Sequence, residues 1–229
     1  MTGEGVGEKV LLVCGGDCTA DFLRQVCTDF RPDRIIAADG ALQVFRDAGL
    51  RPDLAVGDFD TIDPEILAAF SADGVPLEQH PPEKDQTDSE LAMALALRGH
   101  PSQMRFLGAL GGRFDHALVN VRLLLEADRQ GCRCVIEDLL SRLFLIESGT
   151  AVRRDPSYRY FSLFPVSERV EHLSLRGTKY TLSDYTAQRD RNPGFLVSNE
   201  ITAPEGALVT FSSGTLLAVL SRDASGQGG

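Results

Sequence analysis

Ala55-Val56-Gly57-Asp58-Phe59-Asp60-Thr61 sets the reading of the fold, because an apolar run from Leu54 to Val56 meets a glycine and then two carboxylates at i and i+2. A chain still extended at that point carries Asp58 and Asp60 on one face of a strand end. Two anions held that close favour a shared cation. Hard carboxylate oxygens suit Mg²⁺, which keeps several waters and takes its remaining ligands from substrate phosphates. The same residues also read as a solvated loop of turn formers, so the metal reading leans on acidic clusters elsewhere in the chain.

Outward from this stretch the scheme repeats. Lys9 to Cys14 (KVLLVC) is nearly continuous apolar sequence running into Gly15-Gly16-Asp17, the pattern of a parallel strand buried on both faces. A helix is expected from Ala20 to Phe30. Arg34 to Ala38 ends at Asp39-Gly40 and leads into a helix over Ala41 to Ala48, closed by Gly49. Asp63-Pro64 is an N-cap followed by proline at the first helical position. Strands alternating with helices imply a parallel sheet with right-handed crossovers, and ligands in such sheets sit beyond the carboxyl ends of the strands. Gly15, Gly16, Asp39, Gly40 and Asp58 to Asp60 all fall at those ends and are expected to meet in one crevice.

In Glu83-Lys84-Asp85-Gln86-Thr87-Asp88-Ser89-Glu90, Thr87 and Glu90 have capping-box spacing, and Leu91 to Leu97 carry a helix on toward Gly99. Acids in a first turn complement the helix dipole without any ligand, which accounts for Asp88 and Glu90. It does not account for Lys84 beside Asp85, a cation next to anions that reads as a phosphate clamp. Arg105 to Leu110 is a further strand, followed by Gly111-Gly112-Arg113-Phe114-Asp115-His116 and a helix through Asn120 to Gly131. The glycines let backbone N–H groups approach a ligand, and the helix start behind them favours anions. Arg113 offers a planar fork to phosphate oxygens, and His116 and Asn120, four apart, share a helical face. Cys132 to Glu137 and Leu143 to Glu147 read as the last strands of this half.

From about Gly149 helix signals fade. Short alternating segments take over at Tyr158 to Phe164, Val170 to Leu175, Lys179 to Leu182, Phe195 to Ser198, Ala207 to Phe211 and Thr215 to Leu220. Turn residues such as Asn192-Pro193-Gly194 separate them, as expected of an antiparallel sandwich or barrel. The fold class is therefore α/β followed by all-β: a three-layer α/β domain with a mainly parallel sheet over 1–148, an antiparallel β-sandwich over 149–223, and a disordered tail over 224–229.

At 229 residues the chain has room for two such domains. A formal charge of −10 speaks against nucleic acid or an anionic membrane as partner, but not against nucleotides, since a metal can bridge acids to phosphates. Neither a leader peptide nor an apolar run of the roughly 20 residues that span a bilayer is apparent, so a cytoplasmic location is expected. The five cysteines form no Cys-x-x-Cys pair and suggest neither a disulfide framework nor a zinc site.

Taken in order, Asp39-Gly40-Ala41, Gly57-Asp58-Phe59-Asp60, Lys84-Asp85-Gln86-Thr87-Asp88, Gly111 to His116 with Asn120, Gly177-Thr178-Lys179-Tyr180-Thr181-Leu182 and Ser198-Asn199-Glu200 resemble thiamine pyrophosphokinase across nearly the whole chain. The resemblance implies transfer of pyrophosphate from ATP to the thiamine hydroxyl, giving thiamine diphosphate and AMP. It implies that Asp58, Asp60, Asp85 and Asp88 hold Mg²⁺ or its waters, with Asp58 or Asp85 as acceptor of the hydroxyl proton. Arg113 joins these acids in the catalytic set. On the ATP side it implies Gly15, Gly16, Asp39, Gly40 and Lys84, then Gly112, Arg113, Asp115, His116 and Asn120. Ser198 and Asn199 face the thiamine pyrimidine, and two chains form a homodimer. The chain lacks the tryptophan on which some family members stack thiamine, so a Phe, a Tyr or a partner-chain residue has to replace it. Two rivals stay open: a pyrophosphokinase for another hydroxymethyl heterocycle such as a pterin, and a noncatalytic nucleotide or thiamine sensor.

Overall fold

The computed structural model describes residues 7–81 and 86–224. Lys84 and Asp85, and residues 225–229 of the expected tail, lie outside them. The chain divides into two compact units, residues 1–139 and 140–229.

In the first unit six strands, β1 (Lys9–Val13), β2 (Arg34–Ala38), β3 (Leu54–Gly57), β4 (Leu77–Gln79), β5 (Gln103–Leu107) and β6 (Arg133–Glu137), lie in the order β4-β3-β2-β1-β5-β6. Every adjacent pair is parallel. Val10 to Val13 are completely buried, as the unbroken apolar run requires of a central strand covered on both faces. The chain steps outward from β1 to β4 and then returns to place β5 on the other side of β1. The strand order thus reverses between β1 and β5, where sheets of this kind open a ligand crevice.

Local chemistry fixes the helices. α1 (Ala20–Phe30) starts where Thr19 accepts a hydrogen bond from Phe22 N, and α2 (Ala41–Ala48) stops at Gly49 with φ 63°. α3 (Pro64–Ala72) is capped by Asp63, and α4 (Asp88–Leu97) by a complete Thr87/Glu90 capping box. α5 (Phe114–Arg129) follows β5. One face of the sheet, through Leu11, Val13, Ala37 and Ala55, packs with Leu23, Leu42, Phe45, Ile66 and Phe70 of α1 to α3. α4 packs against β1 to β3 and against α5. Phe45 is fully buried, and its truncation to alanine is expected to cost about 3–5 kcal/mol.

Among its described residues the only regular elements of the second unit are strands. β7 (Ser141–Ile146), β13 (Leu216–Ser221) and β9 (Tyr160–Pro165) pair antiparallel, and a four-stranded sheet runs β11 (Leu182–Gln188), β10 (Arg169–Arg176), β12 (Ala207–Thr210), β8 (Thr150–Val152). Inward residues of both sheets, among them Leu163, Leu216 and Ala218 on one and Val170, Leu173 and Val209 on the other, form a single core. This is the expected sandwich.

Three expectations change. The strand read at Leu143 to Glu147 as the end of the first half pairs antiparallel with β13, Ile146 opposite Leu216, so it belongs to the second unit, which begins at Leu140 rather than at 149. An apolar strand does not reveal its partner from its own sequence. Phe195 to Ser198 is not a strand: Phe195 N bonds Asn192 O at 2.9 Å and Val197 N bonds Gly194 O, turn closures set by Asn192-Pro193-Gly194. The strand read over Lys179 to Leu182 begins only at Leu182, because the backbone of Tyr180 is bound instead by the Asn199 side chain.

Candidate active site

Asp39, Asp58 and Asp60 each present a carboxylate oxygen within 4.8 Å of the others. Asp39 follows β2, while Asp58 and Asp60 follow β3, so two adjacent parallel strands deliver all three acids to the same end of the sheet. The ladder carries on past the strand ends, Asp39 N bonding Val56 O at 2.8 Å. Asp39, with φ 41°, turns its carboxylate onto the next loop, where it accepts from Phe59 N at 3.1 Å and from Thr61 Oγ1 at 3.0 Å. Asp60 N in turn donates to Asp58 Oδ1 at 3.2 Å.

This approach depends on Gly57. A Cβ there would stand 2.9 Å from Asp39 Cβ and 3.0 Å from its Cα, closer than real side chains pack. The glycine is what lets the two strand ends close on each other.

Negative charge accumulates as a result. Burial pushes the Asp39 carboxyl above its usual range, with the Asp88 and Asp58 charges adding to the shift and the Thr61 hydroxyl opposing it. Asp60 is raised chiefly by Asp58, then by slight desolvation, with Asp39 and Asp88 contributing. The Asp88 charge therefore reaches Asp39 and Asp60 from the start of α4, as the acidic motif suggests.

Beside the acids lies a cleft of about 270 Å³ at the reversal between β1 and β5. Its floor is backbone: Gly15 and Gly16 after β1, Gly40 after β2, Gly108, Gly111 and Gly112 after β5. Gly16 N bonds Gly108 O at 3.0 Å, so the two loops are tied across the floor. Asp39, Thr61, Asp88, Arg113, His116 and Asn120 supply side chains to its wall, whereas Asp58 and Asp60 stand next to it and join through Asp39.

Not every expected residue is disposed as the sequence suggests. Arg113 and Asp115 form a two-pronged ion pair, Nη2 to Oδ2 2.5 Å and Nε to Oδ1 3.2 Å, at 73% and 64% side-chain exposure. Their hydrogen bond holds Asp115 below its usual range despite the small opposing desolvation, and raises Arg113. Asp115 is thus the holder of Arg113. Asn120 is 4% exposed and donates Nδ2 to Ala109 O at 2.9 Å, fastening the loop that follows β5. His116 and Asn120 do share the α5 face toward the cleft.

In the second unit Asn199, 7% exposed, accepts from Tyr180 N at 3.0 Å and Glu200 N at 2.9 Å and donates to Tyr180 O at 2.7 Å. Its amide is spent on fixing Tyr180, whose ring is left 64% exposed. Ser198 is exposed with φ 59°, its backbone N bonding Ser162 Oγ.

Sequence reasoning missed Thr61, Ser89 and Cys14. Ser89 Oγ and Cys14 Sγ lie 3.3 Å apart beneath the cleft, where burial pushes the thiol up to about 12 and leaves it an inert wall. Thr61 directly follows the Asp-x-Asp motif, and its hydroxyl was the one available signal.

All three clustered acids offer hard oxygen donors, the set that a divalent hard cation takes, so the residues fit a magnesium ion.

Residues 31–136 match the family model of the thiamin pyrophosphokinase catalytic domain, and residues 150–216 that of the thiamin pyrophosphokinase vitamin B1 binding domain. The chain is 31% identical to the thiamine pyrophosphokinase of Bacillus subtilis (strain 168) over 82% of its own length and 87% of the relative's. It superposes on a crystal structure of thiamine pyrophosphokinase from Bacillus subtilis with a TM-score of 0.83 at 28% identity, covering 95% of this chain and all of that one (100%). The structure from Geobacillus thermodenitrificans gives 0.78 at 31% identity, with 95% and 99% covered.

Proposed function

The chain belongs to the thiamine pyrophosphokinase family, transferases that use ATP to make thiamine diphosphate, and from that premise we propose how its residues divide the work. The observation that carries the reading is the meeting of Asp39, Asp58 and Asp60, with the Asp88 charge acting on Asp39 and Asp60, beside a glycine-floored cleft bearing Arg113 and His116.

The thiamine hydroxyl attacks the β-phosphorus of ATP and AMP leaves. Such a step gathers negative oxygens, so positioning and charge neutralisation supply most of the acceleration. Asp39, Asp58 and Asp60 would hold magnesium, with Asp88 adding charge from the start of α4 and Asp85 as a further acid of the set. A magnesium ion held there would supply charge neutralisation for the phosphate oxygens. The backbone N–H groups of the glycine loops and the Arg113 fork receive the phosphates, with Lys84 as their second cation. Asp115 keeps the Arg113 fork oriented, and Asn120 fixes the loop beneath it. A carboxylate of the cluster takes the hydroxyl proton.

For thiamine we assign the missing aromatic contact to Tyr180. Its exposed ring carries the Lys179 ammonium 5.6 Å from its centroid and offers its other face to the cationic heterocycle, and the Asn199 clamp on both its backbone polar groups fixes its direction. Ser198, one residue before Asn199, adds a hydroxyl for thiamine. The second unit thus acts as thiamine-binding domain and the first as ATP and magnesium domain. The enzyme works as a homodimer in the cytoplasm; among the described residues no helix is long and apolar enough to cross a membrane.

The test is an assay of purified protein with ATP, Mg²⁺ and thiamine. Equimolar AMP and thiamine diphosphate support the reading. Binding of either substrate without AMP release supports the sensor instead, and faster turnover with a hydroxymethylpterin supports the pterin enzyme.

A further inference from the structure

The glycine floor of the active-site cleft has a second cavity on its far side. About 250 Å³ in volume, it lies between the loop after β1 and the exposed side of α2, and Cys14, Gly15, Gly16 and Gly40 line both spaces. The divide between them is a saddle of bare backbone: a Cβ on Gly15 would lie 3.3 Å from Gly40 Cα. No side chain rises from it, so a ligand held over the acids can extend across.

The two cavities differ in chemistry. The active-site cleft presents the basic side chains Arg113 and His116 together with the acids, as phosphates and a metal require. Among the described residues that line the second cavity none is basic. Its walls are apolar at Cys18, Ala20, Ala41 and Val44, and its polar end is Gln43 with Asp47. Gln43 Nε2 donates to both Asp47 oxygens at 3.0 Å and Arg46 Nε to Oδ1 at 3.3 Å, which orients the carboxylate while leaving lone pairs open, chiefly on Oδ2. An oriented carboxylate at the end of an apolar slot, its charge partly met by Arg46, receives hydroxyl donors.

We infer that this second cavity takes the nucleoside half of ATP, the chain crossing the Gly15/Gly40 saddle so that the ribose hydroxyls donate to Asp47 while the base lies against Val44 and Cys18. The inference rests on the ATP-using reading above. It makes Gln43 and Asp47 the residues that sense the sugar, and Val44 the residue that sets the depth of the slot.

Calorimetric titration of the full-length protein with ATP and with 2′,3′-dideoxy-ATP, both with Mg²⁺, tests it alongside the turnover assay. The wild type is expected to bind ATP about tenfold tighter than the dideoxy nucleotide, because a site built for hydroxyl donors rejects their absence. Asp47→Ala is expected to lose that preference. Val44→Phe, which fills the slot, is expected to weaken ATP by about tenfold while the KM for thiamine stays within about twofold. Circular dichroism and melting temperature confirm the fold of each variant. Unchanged ATP affinity in both variants, or an Asp47→Ala protein that keeps the ribose preference, overturns the inference and leaves the catalytic reading intact. Asp47-dependent nucleotide binding without turnover sustains the inference and overturns the catalytic reading.

Discussion

Thr61 Oγ1 donates to Asp39 Oδ2 at 3.0 Å, a bond that ties the loop after β3 to the end of β2 and aims one of the three clustered carboxylates. Removing the hydroxyl leaves a half-buried carboxylate with one fewer donor, at a cost of about 1–3 kcal/mol locally. Thr61→Val is expected to lower kcat about tenfold and to raise the Mg²⁺ concentration needed for half-maximal rate, with Thr61→Ser retaining most of both. Steady-state kinetics over a magnesium series distinguishes this from a general loss of stability.

Gly57→Ala tests the close approach on which that bond depends. The added methyl meets Asp39 at 2.9 Å, on backbone and Cβ that have little room to retreat. Strain of about 1–3 kcal/mol is expected as a lower melting temperature. The activity loss should exceed what the unfolded fraction accounts for, because the carboxylates separate. Kinetics well below the melting temperature supply the comparison.

Asp88→Asn removes a charge that reaches the cluster from α4 rather than from β2 or β3. The capping box of α4 is built by Thr87 and Glu90 and survives the change. Turnover is therefore expected to drop about 100-fold or more with the melting temperature nearly unchanged, the scale seen when a single preorganised electrostatic group is lost. Wild-type turnover in this variant would remove Asp88 from the site.

Asn199→Ala and Tyr180→Ala should resemble each other if the amide serves to present the ring. Both are expected to raise the KM for thiamine about tenfold and to leave the KM for ATP alone, since cation–π contacts reach about 1–2 kcal/mol when desolvated. Asn199→Ala should also melt earlier, because Tyr180 N loses its acceptor and Tyr180 O keeps only the Thr178 hydroxyl at 2.9 Å. A change in ATP kinetics alone would contradict the assignment.

A pH-dependent prediction comes from the exposed pair of His172 Nδ1 and Asp184 Oδ1, 2.6 Å apart at a bulged stretch of β10 and β11 where both residues have positive φ. The hydrogen bond and charge of Asp184 raise the His172 pKa, with slight desolvation opposing. The protonated form is favoured by folding, so the contribution is full below the ordinary histidine value of about 6.5 and fades as pH rises through the folded value. NMR titration should place His172 above the ordinary value in the wild type and near it in Asp184→Asn. The two proteins should converge in melting temperature at alkaline pH.

Much of this was legible in the chain. α1 and α2 run over the expected residues, and α2 stops at Gly49 because the glycine takes the left-handed conformation locally. The nearness of the Asp58 and Asp60 carboxylates follows from two acids at i and i+2 at one strand end. What could not be read was tertiary choice. β7 looks like any apolar strand, and only its pairing with β13 puts it in the second unit. Asp39 was read as a nucleotide contact, yet the glycine opposite it brings its carboxylate to the other two. Asn199 was read as facing thiamine, while its amide is consumed by Tyr180, a partner 19 residues away.

The central claim is that acids from separate strand ends form one phosphoryl-transfer site. Its most direct measurement is ³¹P NMR of ATP, thiamine and Mg²⁺ with the wild type and with Asp58→Asn/Asp60→Asn. The wild type should convert ATP to AMP and thiamine diphosphate, and the double variant, melting at a similar temperature, should be slower by about 10³ or more. Conversion by the folded double variant within about tenfold of the wild type would contradict the account.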